Sequence, residues 1–232
     1  MGIKDAFKSL TKFEKSLWIL SVVVVSVTFF AFGNTDYLTL AASLIGVTAL
    51  IFLAKGHWIG QVLIIIFGAF YGYVSYHYRY YGEMITYLGM TVPMAVVALI
   101  AWVRNPYKDK SEVAVSKLSA RKIPVMLFAT AVVTSAFYFI LKALDNANLI
   151  VSTVSVATSF LAAYMTALRT PYYALGYAAN DLVVIALWLF MLKTDTDSIP
   201  MIVCFTTFFI NDMYGFINWK RMEKRQKKES SN

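Results

Sequence analysis

The sequence predicts an all-α integral membrane protein, and three observations carry that prediction. Of its 232 residues, 59% are hydrophobic and only 15% charged, a balance far from ordinary soluble usage. The charges are segregated into short stretches between apolar runs of about 20 residues, the length that crosses ~30 Å of hydrocarbon. Lys and Arg gather on one side of those runs, as the positive-inside rule demands.

Residues 1–15 carry Lys4, Lys8, Lys12 and Lys15 ahead of an apolar run at 16–32. A basic head and the small-residue ending Ala31-Phe32-Gly33 have the form of a signal peptide; the reading taken is a retained first helix. Seven further runs follow at 37–54, 58–78, 83–103, 122–143, 148–168, 172–192 and 198–219, so eight spans are expected. With that count, 18 of the 21 Lys and Arg share a side with both termini, and only Arg79, Lys142 and Lys193 lie opposite. Both termini are then cytoplasmic. The basic tail, 220–232, reads as a solvated topology anchor, disordered at its end.

The spans also suggest a repeat. The helices of 37–104 form one triplet and those of 148–219 another, with a loop and linker helix at 105–147 between them and an extra helix at 1–36 before them. The third helices end alike, in Ala101-Trp102-Val103-Arg104 and Asn218-Trp219-Lys220-Arg221. A single inverting helix between two units of three makes the units parallel, with a substrate site expected at the midplane between them.

Several functions are excluded. The net charge of +8 lies in loops and tails, which topology explains, so no nucleic-acid partner is expected. Cys204 is the sole cysteine and reads as a small core hydrophobe. His57 and His77 have no ligand cluster around them, so no metal is expected. The chain has no phosphate loop, GxSxG or HExxH, which leaves no foothold for enzyme chemistry or a cofactor.

Polar side chains inside apolar runs are costly and usually face a cavity or a partner. In the last run, Asn211, Tyr214 and Asn218 fall on one stripe at roughly 100° per residue, with Asp212 and Trp219 on the neighbouring stripe. In the run before it, Tyr177, Asn180, Asp181 and Trp188 share an arc near mid-membrane. One amide could be interhelical glue worth ~1 kcal/mol, but two Asn-Asp pairs flanked by Tyr and Trp favour a ligand pocket. Trp58 and Gln61 open a helix whose Gly68 and Gly72 suit close packing, and Trp58 equally suits the headgroup belt. The run Tyr71, Tyr73, Tyr76, Tyr78, Tyr80, Tyr81 reads mostly as an aromatic belt, Glu83 as a cap or outer gate, and Pro93 and Pro200 as kinks. Aromatic faces with amides and acids, and no intramembrane Lys or Arg, suit a planar, hydroxylated, neutral or cationic small molecule.

The segment Asn211-Asp212-Met213-Tyr214-Gly215-Phe216-Ile217-Asn218-Trp219 has the form N-D-x-Y-x-x-x-N-W. With the 1 + 3 + 1 + 3 division of spans, Trp58-x-x-Gln61 and Tyr81-Gly82-Glu83-Met84, residues 37–219 resemble the PnuC-type nicotinamide riboside transporters of bacteria. That resemblance implies a full-length SWEET-like fold in the bacterial inner membrane. It also implies facilitated diffusion (uniport) of nicotinamide riboside, a vitamin B3 form and cationic NAD precursor, which a separate cytoplasmic riboside kinase traps. It carries substrate contact to Asn211, Asp212, Tyr214 and Asn218, with Trp58 and Gln61 beside them and Glu83 and Trp219 as gates; Asn180, Asp181 and Trp188 come from depth and face. Thr91-Val92-Pro93-Met94-Ala95 holds no Asn-Asp pair, so the second bundle supplies most polar contacts.

The mechanism expected is alternating access, two bundles rocking about the site, with Asp181 and Asp212 leaving proton coupling open. The rivals are a sugar or other nucleoside transporter of the same fold and, from another class, an intramembrane aspartyl hydrolase with paired acids. Lipid-facing aromatics leave room for a homo-oligomer, and nothing in the sequence counts subunits.

Overall fold

Local chemistry sets the first helix starts. The computed structural model describes residues 3–32, 36–77, 81–108, 111–146, 148–192 and 198–231. A short α1 (Ile3–Lys8) leads into α2 (Lys12–Ala31). Thr11 caps α2 in a capping box: the Glu14 amide donates to the Thr11 hydroxyl at 3.2 Å, and the Thr11 amide donates to the Glu14 carboxylate at 2.6 Å. That acid is buried. It also accepts from Lys55 Nζ at 3.2 Å and from the Tyr214 hydroxyl at 3.0 Å, so one carboxylate ties the N-terminal helix to two others. Asp36 caps α3 (Tyr37–Ala54) through the amides of Leu38 and Thr39.

After α4 (Ile59–His77), a short α5 (Tyr81–Thr86), a π-helical turn (Tyr87–Thr91) and α6 (Val92–Val103) stack into one apolar rod. Pro93 accounts for the turn: without an amide hydrogen it interrupts the α ladder, and the Val92 amide donates to Tyr87, five residues back. The kink expected at Pro93 is thus absorbed as a change of helical register. Gly68 and Gly72 face this rod, where a Cβ would come within 2.8 Å of Val92 and 2.6 Å of Leu88.

The chain continues with α7 (Lys122–Ala143), α8 (Leu149–Ala167), α9 (Tyr173–Met191) and α10 (Ile199–Ser231). Pro200 lies in the first turn of α10, where an amide has no intrahelical acceptor, so the kink expected there has no cause. Among the described residues, seven helical stretches are long and apolar enough to cross a membrane: α2, α3, the α5–α6 rod, α7, α8, α9 and α10. α4 carries a shorter apolar stretch, Ile59–Tyr73. Arg79 and Lys193, expected on the far side, lie outside the described residues, as do Tyr78 and Tyr80.

Six helices close a ring in the order α3, α4, α6, α8, α9, α10 and back to α3. Outside it, α2 packs on α3 and α10, and α7 on α8. The two joints that close the ring are built alike. The Trp219 indole on α10 donates to the Leu53 carbonyl at the end of α3 (2.8 Å), and the Trp102 indole on α6 donates to the Thr166 carbonyl at the end of α8 (2.9 Å). The corners that follow also match, with Gly56 at φ 69° and Arg169 at φ 59°. Their amides return to the Leu53 and Thr166 carbonyls. The two Trp endings thus stand in equivalent surroundings.

The linker between the halves fastens to both corners: the Val113 amide donates to the Gly56 carbonyl at 2.9 Å, and the Ser116 amide to the Arg169 carbonyl at 2.8 Å. The basic tail does not end in disorder as the sequence suggests, because it has a partner. α10 runs on to Ser231, and its Gln226 side chain accepts from the Val115 amide (2.8 Å) and donates to the Val113 carbonyl (3.1 Å). Arg225 pairs with Glu112 beside it.

Replacing Gln226 with Ala leaves a buried amide and carbonyl unpaired, a cost of about 1–3 kcal/mol. Thermal unfolding in detergent is therefore expected to fall and amide exchange at Val115 to rise; unchanged exchange there would show that the tail does not hold the linker.

Candidate functional site

The interior of the ring is lined by two helical stripes. On α9, Tyr173, Tyr177 and Asp181 recur at i, i+4 and i+8; on α10, Phe208, Asp212, Gly215 and Trp219 do the same at helical spacing. Both stripes turn inward, and they bring the Asp181 and Asp212 carboxylates within hydrogen-bonding reach of each other. Each residue is only 4% exposed.

Toward the end of the ring that bears the linker and tail, the interior is shut by aromatic rings. Trp219 and Trp102 lie 5.3 Å apart between centroids, and Tyr173 meets Trp219 edge-on at 4.9 Å. All three are buried, so this is a packed floor rather than an opening. Tyr177 stands above Tyr173 and hydrogen-bonds Thr166 of α8.

Beyond the acid pair the lining is again aromatic. Tyr71 and Tyr87 lie 4.5 Å apart, Phe67 packs 5.7 Å from Tyr71 and 5.8 Å from Tyr87, and Phe208 lies 6.4 Å from Phe67. The Tyr71 hydroxyl hydrogen-bonds the Glu83 carboxylate. Glu83 itself is exposed. Tyr87, on the π turn, lies near both Glu83 and Asp181. The arrangement runs floor, acid pair, aromatic wall, Glu83, and it can hold a flat cation between rings.

The sequence-predicted residues divide at this point. Asp181, Asp212 and Trp219 converge on the interior, with Glu83 beyond them, and Trp188 is half-buried against the same core. The three amides turn elsewhere. Asn180 accepts from Ser155 at 3.1 Å and Thr158 at 2.9 Å on α8, and Asn211 donates to Ser21 on α2 at 2.9 Å. Asn218 donates to the Ala54 carbonyl at 2.9 Å, and Tyr214 goes to Glu14 with its ring 5.2 Å from Phe13. The stripe of Asn211, Tyr214 and Asn218 therefore faces α2 and α3, while the neighbouring stripe faces the interior of the ring. Gln61 is 2% exposed with its Nε2 lacking a partner among the described residues, and Trp58 stacks on His57 at 5.7 Å. Burial holds the His57 imidazole below its usual value, so it is neutral at neutral pH.

Tyr71, Tyr87, Phe67 and Phe208 were not singled out by the sequence as site residues. Tyr71 sits in a run whose other described tyrosines, Tyr73, Tyr76 and Tyr81, are exposed, so composition hides it; its spacing of four from Phe67 is the signal that separates it.

A ring of apolar helices around an enclosed acid and aromatic interior defines a multi-pass membrane transport protein. The family described as nicotinamide mononucleotide transporter matches residues 36–221, and the chain belongs to that family. It is 28% identical over 228 residues to the nicotinamide riboside transporter PnuC of Neisseria mucosa, covering 96% of this chain and 86% of the relative. To the nicotinamide riboside transporter PnuC of Haemophilus influenzae it is 21% identical, covering 96% of each. A crystal structure of the vitamin B3 transporter PnuC superposes with a TM-score of 0.80 at 26% identity, covering 94% of both chains.

Trp219→Phe and Trp102→Phe each remove one indole donor from an equivalent joint and are expected to cost about the same, roughly 0.5–1.5 kcal/mol. Melting of the purified variants checks this; one large and one negligible loss would show that the joints are not equivalent.

Proposed function

We propose that the protein carries nicotinamide riboside across the bacterial inner membrane by facilitated diffusion, through alternating access. The observation that carries the reading is the contact between Asp181 and Asp212, enclosed by Tyr71, Tyr87, Tyr173 and Tyr177. The pyridinium ring of the substrate stacks on the tyrosines and places its positive charge against the acids. Trp188, Gln61 and Trp58 add further contacts, Glu83 and Trp219 gate the two ends, and Asn180, Asn211, Tyr214 and Asn218 hold the helices that present the acids.

The fold in this reading is 1 + 3 + 1 + 3 and SWEET-like: α2, then α3 with α4 and the α5–α6 rod, then inverted α7, then α8, α9 and α10. The equivalent joints support two units that rock against each other. Both termini are cytoplasmic, on the side of the eighteen basic residues. The cycle needs no gradient of a second solute, and a cytoplasmic riboside kinase keeps the flux inward by consuming the product.

The family name specifies the mononucleotide, whereas the relatives' names specify the riboside. The chemistry of the interior favours the riboside. A phosphate would face two carboxylates, and none of the ring helices carries Lys or Arg within its apolar stretch. The paired acids are also what an aspartyl hydrolase would need, but the family is one of transporters.

Uptake into proteoliposomes at equal pH on both sides tests the reading. Labelled nicotinamide riboside is expected to enter and the mononucleotide to stay out, with Asp212→Asn lowering riboside uptake about tenfold or more, as the loss of a charged contact implies. Equal entry of the mononucleotide, or full activity in the variant, would sink it.

A further inference from the structure

α2 stands outside the ring, yet it packs on both of the helices that meet at one junction of the two halves. In the ring order that junction is α3–α10, and its counterpart is α6–α8. The two share an indole bond, and there the likeness ends. At α3–α10 the Asn218 side chain also donates to the Ala54 carbonyl at 2.9 Å, and α2 adds a strap along its own length. Its Trp18 indole donates to Thr48 on α3 at 3.1 Å, its Ser21 hydroxyl accepts from Asn211 on α10 at 2.9 Å, and its Phe29 ring lies 6.0 Å from Tyr37 at the start of α3. At α6–α8 the bond from Trp102 to the Thr166 carbonyl is the hydrogen bond that joins the two helices among the described residues. α7 covers that junction with apolar side chains, Phe137 and Leu141 against Met90 and Phe160. Glu14 is the centre of the strap. Its residue is 1% exposed, and its carboxylate gives one oxygen to Lys55 at the end of α3 and the other to Tyr214 on α10. Bonds to a carboxylate are stronger than those between neutral groups, and a buried acid that loses a partner is costly. The two helices it joins belong to different halves of the ring, and Tyr214 lies two residues from Asp212.

We infer that Glu14 is a positioning residue for transport: it keeps the tail-side ends of α3 and α10 joined while the two halves move, so that the α6–α8 junction is the one that parts and Asp212 stays turned inward. This rests on the alternating-access reading above and deepens it by naming the seam about which the halves swing. The N-terminal helix, which belongs to neither triplet, is then part of the machinery. The asymmetry carries the assignment, because the seam with the carboxylate bridge and the strap is the harder one to open.

A cross-link over the strapped seam tests it. A Cβ added at Gly215 would lie 3.6 Å from the Ala54 Cβ, within the roughly 3.5–4.5 Å that a disulfide spans. Ala54→Cys with Gly215→Cys therefore ties α3 to α10 directly, and Cys204→Ser removes the native thiol. In proteoliposomes, uptake of nicotinamide riboside per folded protein is expected to be the same with this pair oxidised as reduced. Uptake that is lost on oxidation and regained with reductant shows that this seam has to open, and overturns the proposal. In the same background, Glu14→Ala is expected to lower uptake about tenfold or more with the thiols reduced. Oxidation is expected to restore it, because the disulfide replaces the bridge. Undiminished uptake in Glu14→Ala, or a loss that the disulfide does not mend, also overturns the proposal. Tyr214→Phe and Lys55→Met, each removing one arm of the bridge, take its place if Glu14→Ala does not fold. Failure of the unaltered protein to take up nicotinamide riboside defeats the transport reading and this one with it; with that uptake intact, only the seam is at stake.

Discussion

Two acids in contact inside a ring of apolar helices are the constraint on which the rest of this structure depends. Burying a charge is expensive, and burying two of one sign side by side is more so. Such a pair persists only where the fold holds both helices firmly and something positive visits the gap. The surrounding tyrosines meet both needs. They pack as large apolar bodies, and their faces attract cations that the carboxylates also attract.

The firmness comes from the joints rather than from the acids. Trp219 and Trp102 each bind the end of a helix from the other half of the ring, and their rings touch each other under the acid pair. The same side chains therefore close the ring and floor the site. The linker adds a second layer, since Val113 and Ser116 bond the two left-handed corners and Gln226 holds the linker from the tail. In the proposed alternating-access cycle, opening toward that side has to part the Trp pair and loosen these bonds. On the other side Tyr71 and Tyr87 are half-buried and Glu83 is exposed.

The helices were legible because lipid imposes one simple rule, a long apolar run. The run at 122–143 matches α7 at both ends, and that at 37–54 matches α3. The acids were legible for the complementary reason, that a carboxylate in such a run has no cheap explanation. What the sequence could not tell was which of two adjacent stripes faces inward. Asn211 and Asp212 are neighbours, but α2 takes the first stripe through Ser21 and Glu14, and a helical wheel does not show that an extra helix will pack there. Asn180 follows the same logic, because hydroxyls on α8 claim it. The helical tail was misjudged because its partner, Val113 to Val115, is an irregular segment far away in the chain. Tyr71 was hidden by its neighbours, which belong to the exposed belt.

The claim at the centre is that charge, and not shape alone, is what the interior recognises. Equilibrium binding to the purified protein tests it most directly when nicotinamide riboside is compared with benzamide riboside, which keeps the shape without the ring charge. The account predicts that the cation binds tighter by about tenfold or more; equal affinity for the two would contradict it.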